Sequence, residues 1–174
     1  MNSRIIGIVL ALLILASCGG KVKETSESEI REAERAMVGA NRILVKKDRE
    51  KIKAYMERNN LSLEESPTGL WYGIPLAGTG EMAATGLVAT LAYRVSLLDG
   101  TLCYDSDVLG VKQFRIGQGG VEAGLEEGVL MLRAGSKAIF IMPPHLAHGL
   151  PGDGNKIPAR SIVLYEVELL TLEP

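Results

Sequence analysis

Val121-Glu122-Ala123-Gly124-Leu125-Glu126-Glu127-Gly128-Val129-Leu130-Met131 is a short glycine-spaced stretch set among strand-like segments. Gly124 and Gly128 recur four residues apart, so a helix here presents a bare stripe against which a strand can lie close. The same glycines weaken the helix, so packing around it must compensate. The predicted architecture is α+β: a twisted antiparallel sheet wrapped around one short helix, preceded by an α-helical stalk.

Immediately upstream, Phe114-Arg115-Ile116-Gly117 predicts a short strand, and Gln118-Gly119-Gly120 the turn into the helix. A dinucleotide-binding turn would need a third glycine where Glu122 stands. It would also need an acidic residue between Lys137 and Leu146, and none occurs there. Leu87 to Leu98 reads as a long strand, Asp99-Gly100 as a hairpin turn of type I′, and Thr101 to Tyr104 as the return strand. Leu70 to Ile74 is a further strand that Pro75 either confines to an edge or ends. Downstream, Ala138 to Met142 is an apolar, buried-type strand stopped by Pro143-Pro144. The polar, glycine- and proline-rich loop from His145 to Arg160 is where a compact domain places a binding edge. Ser161 to Thr171 supplies the last strand.

The chain divides into residues 1–17, 18–66 and 67–174. The first segment has a basic Arg4 and an apolar run from Ile5 to Ala16 that is too short to span a bilayer, which marks a targeting signal. It closes on Leu15-Ala16-Ser17-Cys18-Gly19, which resembles the bacterial lipobox. That resemblance implies lipid attachment at Cys18 and stable anchoring to a membrane face. Gly19-Gly20, with no aspartate after the cysteine, resembles the sorting pattern for the outer membrane of the cell envelope. The alternative is an ordinary secretory signal with an incidental cysteine. Cys103 is then left without a disulfide partner and reads as a buried thiol. The net charge of -2 becomes -3 without the signal (18 basic against 21 acidic residues), and nothing in it suggests a nucleic-acid partner.

Residues 18–66 form the charged helical stalk. Ile30, Met37 and Leu44 recur at seven-residue spacing, with Ala33, Ala36, Ala40 and Ile43 on the same broad face. A second helix is predicted to begin at Asp48 as N-cap, turn Ile52, Tyr55 and Met56 inward and end near Asn59-Asn60. Acids gather early (Glu24, Glu27, Glu29, Glu32, Glu34) and bases late (Arg42, Lys46, Lys47, Arg49, Lys51, Lys53). A solvated stalk explains this pattern; a homodimer paired head to tail through the stalk is the alternative.

From about Leu87 to Glu173 the sequence resembles an FKBP-type peptidyl-prolyl isomerase domain. The resemblance is carried by Tyr93 with Leu98-Asp99-Gly100, Phe114 to Gly117, Gly124-Leu125-Glu126-Glu127-Gly128, Pro144 to Gly149, Ile157-Pro158 and Glu166 to Leu170. The lipobox and stalk, with Leu102 to Ser106 and Leu146-Ala147-His148-Gly149, further resemble the gliding-motility-associated FKBP lipoproteins of bacteria. The resemblance implies rotation about X-Pro bonds of exported polypeptide clients, without cofactor or metal. It places Tyr93, Val121, Ile157 and Tyr165 at the pocket wall or rim and Leu125 at a floor where tryptophan is usual. Cys103-Tyr104, with Asp105 one place late, stands for a Phe-Asp pair, and Lys112 for a second phenylalanine. The Glu122 backbone amide is implied to receive a carbonyl, and His148 stands for a donating loop tyrosine. Tyr93, Asp105 and His148 are the implied catalytic residues. His145 and His148 are spaced for a shared metal, but beyond Asp153 no third ligand is near, so no metal is expected.

Overall fold

The computed structural model describes residues 26–174. The segment 1–17 and Cys18 lie outside the described residues. The chain runs α1 (Glu27–Arg58), β1 (Glu64–Glu65), β2 (Trp71–Leu76), β3 (Val88–Leu97), β4 (Leu102–Asp105), α2 (Ser106–Leu109), β5 (Lys112–Arg115), α3 (Ala123–Val129), β6 (Lys137–Met142), a 3-10 turn (Pro144–Leu146) and β7 (Val163–Glu173). The strands form one antiparallel sheet in the order β1-β2-β6-β7-β3-β4, with β5 also on β3. Two long strands carry it, because β3 pairs with β7 along its whole length from Val88↔Glu173 to Leu97↔Val163.

The sheet curls around α3, as the glycine spacing predicts. Gly124, Leu125, Gly128 and Val129 are buried in it. A Cβ on Gly124 would stand 2.8 Å from the Met142 sulfur, and one on Gly128 2.6 Å from Cζ of Phe140. The bare stripe is therefore filled by β6 side chains. Alternate residues of β6 and β7 face opposite ways: Phe140, Met142, Val163 and Tyr165 join the cluster around α3, while Ile141 and Leu164 join a second cluster with Ile52, Trp71 and Ile162. Both faces being covered explains why β6 reads as an unbroken apolar run.

α1 is one continuous helix, which corrects the expectation of two. Ser26 and Glu29 open it with a reciprocal capping box, the Ser26 amide donating to Glu29 Oε2 and the Glu29 amide to Ser26 Oγ. Asp48 caps nothing: it sits inside the helix, buried, and accepts a 2.6 Å hydrogen bond from the Arg160 guanidinium. A long-range ion pair thus outweighs the local preference of aspartate for a helix start. The helix ends where predicted, with Asn60 in the left-handed region and the Leu61 amide donating to the Met56 carbonyl. Residues Arg42–Pro174 form one compact unit, and the preceding turns of α1 belong to another. No described helix is long and apolar enough to cross a membrane.

The hairpin at Asp99-Gly100 forms, but not as a two-residue type I′ turn. The Gly100 amide donates to the Leu97 carbonyl and the Leu97 amide to the Thr101 carbonyl, and of the two turn residues only Gly100 has positive φ. This is a longer loop with glycine in the left-handed position and a register shift beside it. The loop before α3 is also accounted for structurally, since the Gly117 and Gly119 amides both donate to Glu126 Oε1.

Candidate active site

Antiparallel pairing puts Tyr104, Val95, Tyr165 and Phe140 in one row across β4, β3, β7 and β6. Paired residues share a face, so the row runs from the tip of Phe140, against α3, to an open groove at the β4 side. Tyr93, two residues before Val95, adds a third tyrosine. The groove, of about 440 Å3, is lined by Tyr93, Tyr104, Leu109, Lys112, Glu122, His148, Asp153, Asn155 and Tyr165.

Of the residues singled out from sequence, Tyr93, Tyr104, Glu122, His148 and Tyr165 converge on this groove. Leu125 and Ile157 are wholly buried in the core beneath it, and Val121 packs on that core at its edge. Cys103 is buried too, its thiol facing the Lys156 carbonyl at 3.6 Å. Burial pushes that thiol's pKa up, which leaves little reactive thiolate. Asp105 is not brought into the groove. It pairs with Arg94 at 2.9 Å and caps α2 by accepting from the Asp107 amide, a helix that the Asp105-Ser106-Asp107 run could have announced. His145 and His148 point to different partners: the His145 ring meets the Thr68 carbonyl at 3.0 Å, and His148 Nε2 lies 3.1 Å from Glu122 Oε1.

The centre of the groove is a carboxylate. The Glu122 side chain is 8% exposed, and the Tyr165 hydroxyl donates to its Oε1. Lys112 Nζ lies 3.6 Å from Oε2. Burial pushes the Glu122 pKa up, but Lys112, the Tyr165 hydroxyl, its own backbone amide and His148 together bring it below the ordinary carboxylate range. Burial and the Glu122 charge push Tyr165 well above the usual tyrosine value, so it stays a donor. The Tyr104 hydroxyl donates to Asp153, whose other oxygen accepts from the Asn155 and Ile157 amides. Two of the three tyrosine hydroxyls are therefore committed to carboxylates.

One pH dependence follows. A carboxyl with a lowered pKa in the folded state adds stability that is complete above its unfolded value, about 4.3. That contribution is lost as pH falls through the lower folded value. Urea unfolding from pH 6 down to about pH 3 is expected to show the wild type losing stability more steeply than Glu122→Gln. Parallel curves would mean that the carboxylate gains nothing from its neighbours.

Residues 80–170 match the profile of the family described as FKBP-type peptidyl-prolyl cis-trans isomerase. The chain belongs to that family. It is 32% identical to FK506-binding protein 2B of Rhizopus delemar over 119 residues, covering 65% of this chain and 57% of the relative. It is 31% identical to the FKBP-type peptidyl-prolyl cis-trans isomerase FkpA of Aeromonas hydrophila over 154 residues, 88% of this chain and 56% of that one. The chain thus spans a little over half the length of these two relatives. The crystal structure of FkpA from Escherichia coli superposes with a TM-score of 0.63 at 27% identity, covering 98% of this chain and 81% of that chain. The FKBP-like fold expected from the sequence is therefore the fold found.

Proposed function

We propose that the protein is a peptidyl-prolyl cis-trans isomerase acting on X-Pro bonds of exported polypeptides, held at the cell envelope by lipid on Cys18. The observation that carries this reading is the tyrosine-walled groove placed by an FKBP-type domain. Rotation about a peptide bond faces a barrier of about 18–20 kcal/mol and needs no nucleophile. The planar amide carries more charge separation than the twisted one, so a groove with little water favours the twisted form. Tyr93 and Tyr104 supply ring faces for the proline, with the buried Tyr165 beneath them. With the Tyr104 and Tyr165 hydroxyls committed, the Tyr93 hydroxyl and the His148 ring are the side-chain donors left to orient a substrate carbonyl. Asp105 contributes by positioning β4 and α2.

The lipobox supports the anchor, and Gly19-Gly20 support the outer membrane as its location. The likeness to gliding-motility-associated lipoproteins extends the same proposal. α1 serves as a charged spacer. Pairing of two copies through it is the alternative, for which the exposed Ile30, Met37 and Val38 would supply contacts. A molar mass in detergent equal to one chain removes that alternative.

A second reading is favoured by the ion pair inside the groove: a binding module that holds proline-containing chains without useful turnover. A protease-coupled assay on a proline tetrapeptide separates the two. We expect turnover above buffer, raised in His148→Tyr, which restores a phenolic donor. A rate equal to buffer in both proteins leaves the binding module.

A further inference from the structure

The groove already contains an alkylammonium, supplied by the protein itself. Lys112 Nζ lies 5.2 Å from the ring centroid of Tyr93, 5.7 Å from that of Tyr165 and 3.6 Å from Glu122 Oε2. Two ring faces and a buried carboxylate form a receptor for a cation: the ring quadrupoles attract it and the carboxylate neutralises it.

The resident lysine fills that receptor incompletely. At 3.6 Å its ammonium is too far for a hydrogen bond, and Glu122 Oε2 has no hydrogen-bond partner at all. His148 Nε2 is close to Oε1 but not aligned to donate, and it too lacks a partner. A buried anionic oxygen without a donor is a penalty that a ligand donor would remove. The receptor is fixed, because the Tyr165 hydroxyl holds the carboxylate in place. The occupant is free to leave: the Lys112 side chain is 26% exposed and ends a flexible four-carbon stem. Asp153 lines the same groove, so displacing Lys112 exposes the ligand to two carboxylates.

We infer that Glu122 is a specificity-determining residue, and that the groove selects segments in which lysine or arginine stands next to proline. The client's cationic side chain displaces Lys112 and closes the missing hydrogen bond on Glu122 Oε2. This rests on the groove being the peptide site of the proposed function.

The test is calorimetric titration, with the protease-coupled assay run beside it, of tetrapeptides carrying Lys, Ala or Glu before the proline. Three proteins are compared: wild type, Lys112→Ala, and Lys112→Ala combined with Glu122→Gln. Wild type should favour the Lys peptide over the Ala peptide several-fold. Lys112→Ala should widen that ratio to about tenfold, the size expected of a hydrogen bond closed on a buried carboxylate. Adding Glu122→Gln should return the ratio to about one. In wild type, where folding is not in question, the preference should fall as salt is raised toward 1 M. Equal affinity for Lys and Ala peptides in both wild type and Lys112→Ala, or a Lys preference that survives Glu122→Gln, overturns the inference. Turnover of the Ala peptide without a Lys preference sinks it while leaving the isomerase reading standing. A Lys preference in binding without turnover does the reverse.

Discussion

Gly128→Val is expected to destabilise the domain by about 3 kcal/mol, the upper part of the range for overpacking a filled core. The reason is local. A Cβ at residue 128 would meet Cζ, Cε2 and Cε1 of Phe140 at 2.6, 2.7 and 2.8 Å, and real Cβ atoms do not approach so closely. The ring cannot yield, since Phe140 is completely buried and its cross-strand neighbour Tyr165 closes the same row. Moving α3 instead would shift Glu122, its N-cap residue, and with it the centre of the groove. A helix-propensity argument alone predicts the opposite sign, because glycine inside a helix costs about 0.5–1 kcal/mol relative to alanine. Gly39 in α1 is the control: nothing lies within 4 Å of a Cβ there, and Gly39→Ala should strengthen its helix by that amount. Urea unfolding followed by near-ultraviolet dichroism reads the first and helicity on heating the second. If Gly128→Val matches wild type, the close approach of α3 to β6 is not what sets the sheet's curl.

The contrast between those two glycines indicates what a single sequence can convey. The four-residue spacing of Gly124 and Gly128 is a local signal for close packing. The apolar run at Ala138 to Met142 reports a strand covered on both sides, and Asp99-Gly100 reports a hairpin. These features, with the family motifs, are enough for the order of the longer strands around α3 and for the fold, whereas β1 and α2 are too short to leave such a signal. Asp48 does not start a helix because its partner, Arg160, lies 112 positions away and cancels a helix-start preference that is real locally. The turn at Asp99 differs in type from type I′ because dipeptide chemistry does not fix loop length.

The groove divides along the same line. Tyr93, Tyr104, His148 and Tyr165 were identifiable from motif position. The meaning of Glu122 was not: a glutamate before a short helix suggests an exposed side chain, with only its amide of interest. Its burial depends on Tyr165, Lys112 and His148 arriving from three other segments. Leu109 and Asn155, also in the lining, carry no sequence signal apart from lying in loop-rich stretches.

Ile52→Ala should cost about 3 kcal/mol, within the range for truncating a buried isoleucine to alanine. Ile52 is 1% exposed and packs with Trp71, Ile141, Ile162 and Leu164, so one side chain from α1 joins β2, β6 and β7 on the face of the sheet opposite α3. The cavity left by truncation has walls on three strands already fixed by their pairing, so the site collapses only partly, which keeps the cost above the bottom of that range. Ile43→Ala, nine residues earlier and 59% exposed, should change stability by less than about 0.5 kcal/mol. The decisive observable is the number of transitions. If the second half of α1 is a structural part of the domain, held by Ile52 and by the Asp48–Arg160 pair, Ile52→Ala lowers the midpoint of a single urea transition seen equally by helix dichroism and by Trp71 fluorescence. Separate transitions for the two probes in the wild type would instead make α1 a detachable arm. A truncated chain beginning at residue 67 would then fold as well as the longer one, whereas the packing of Ile52 against Trp71 and Ile141 predicts that it loses roughly the stability that Ile52 and the Asp48 pair provide together.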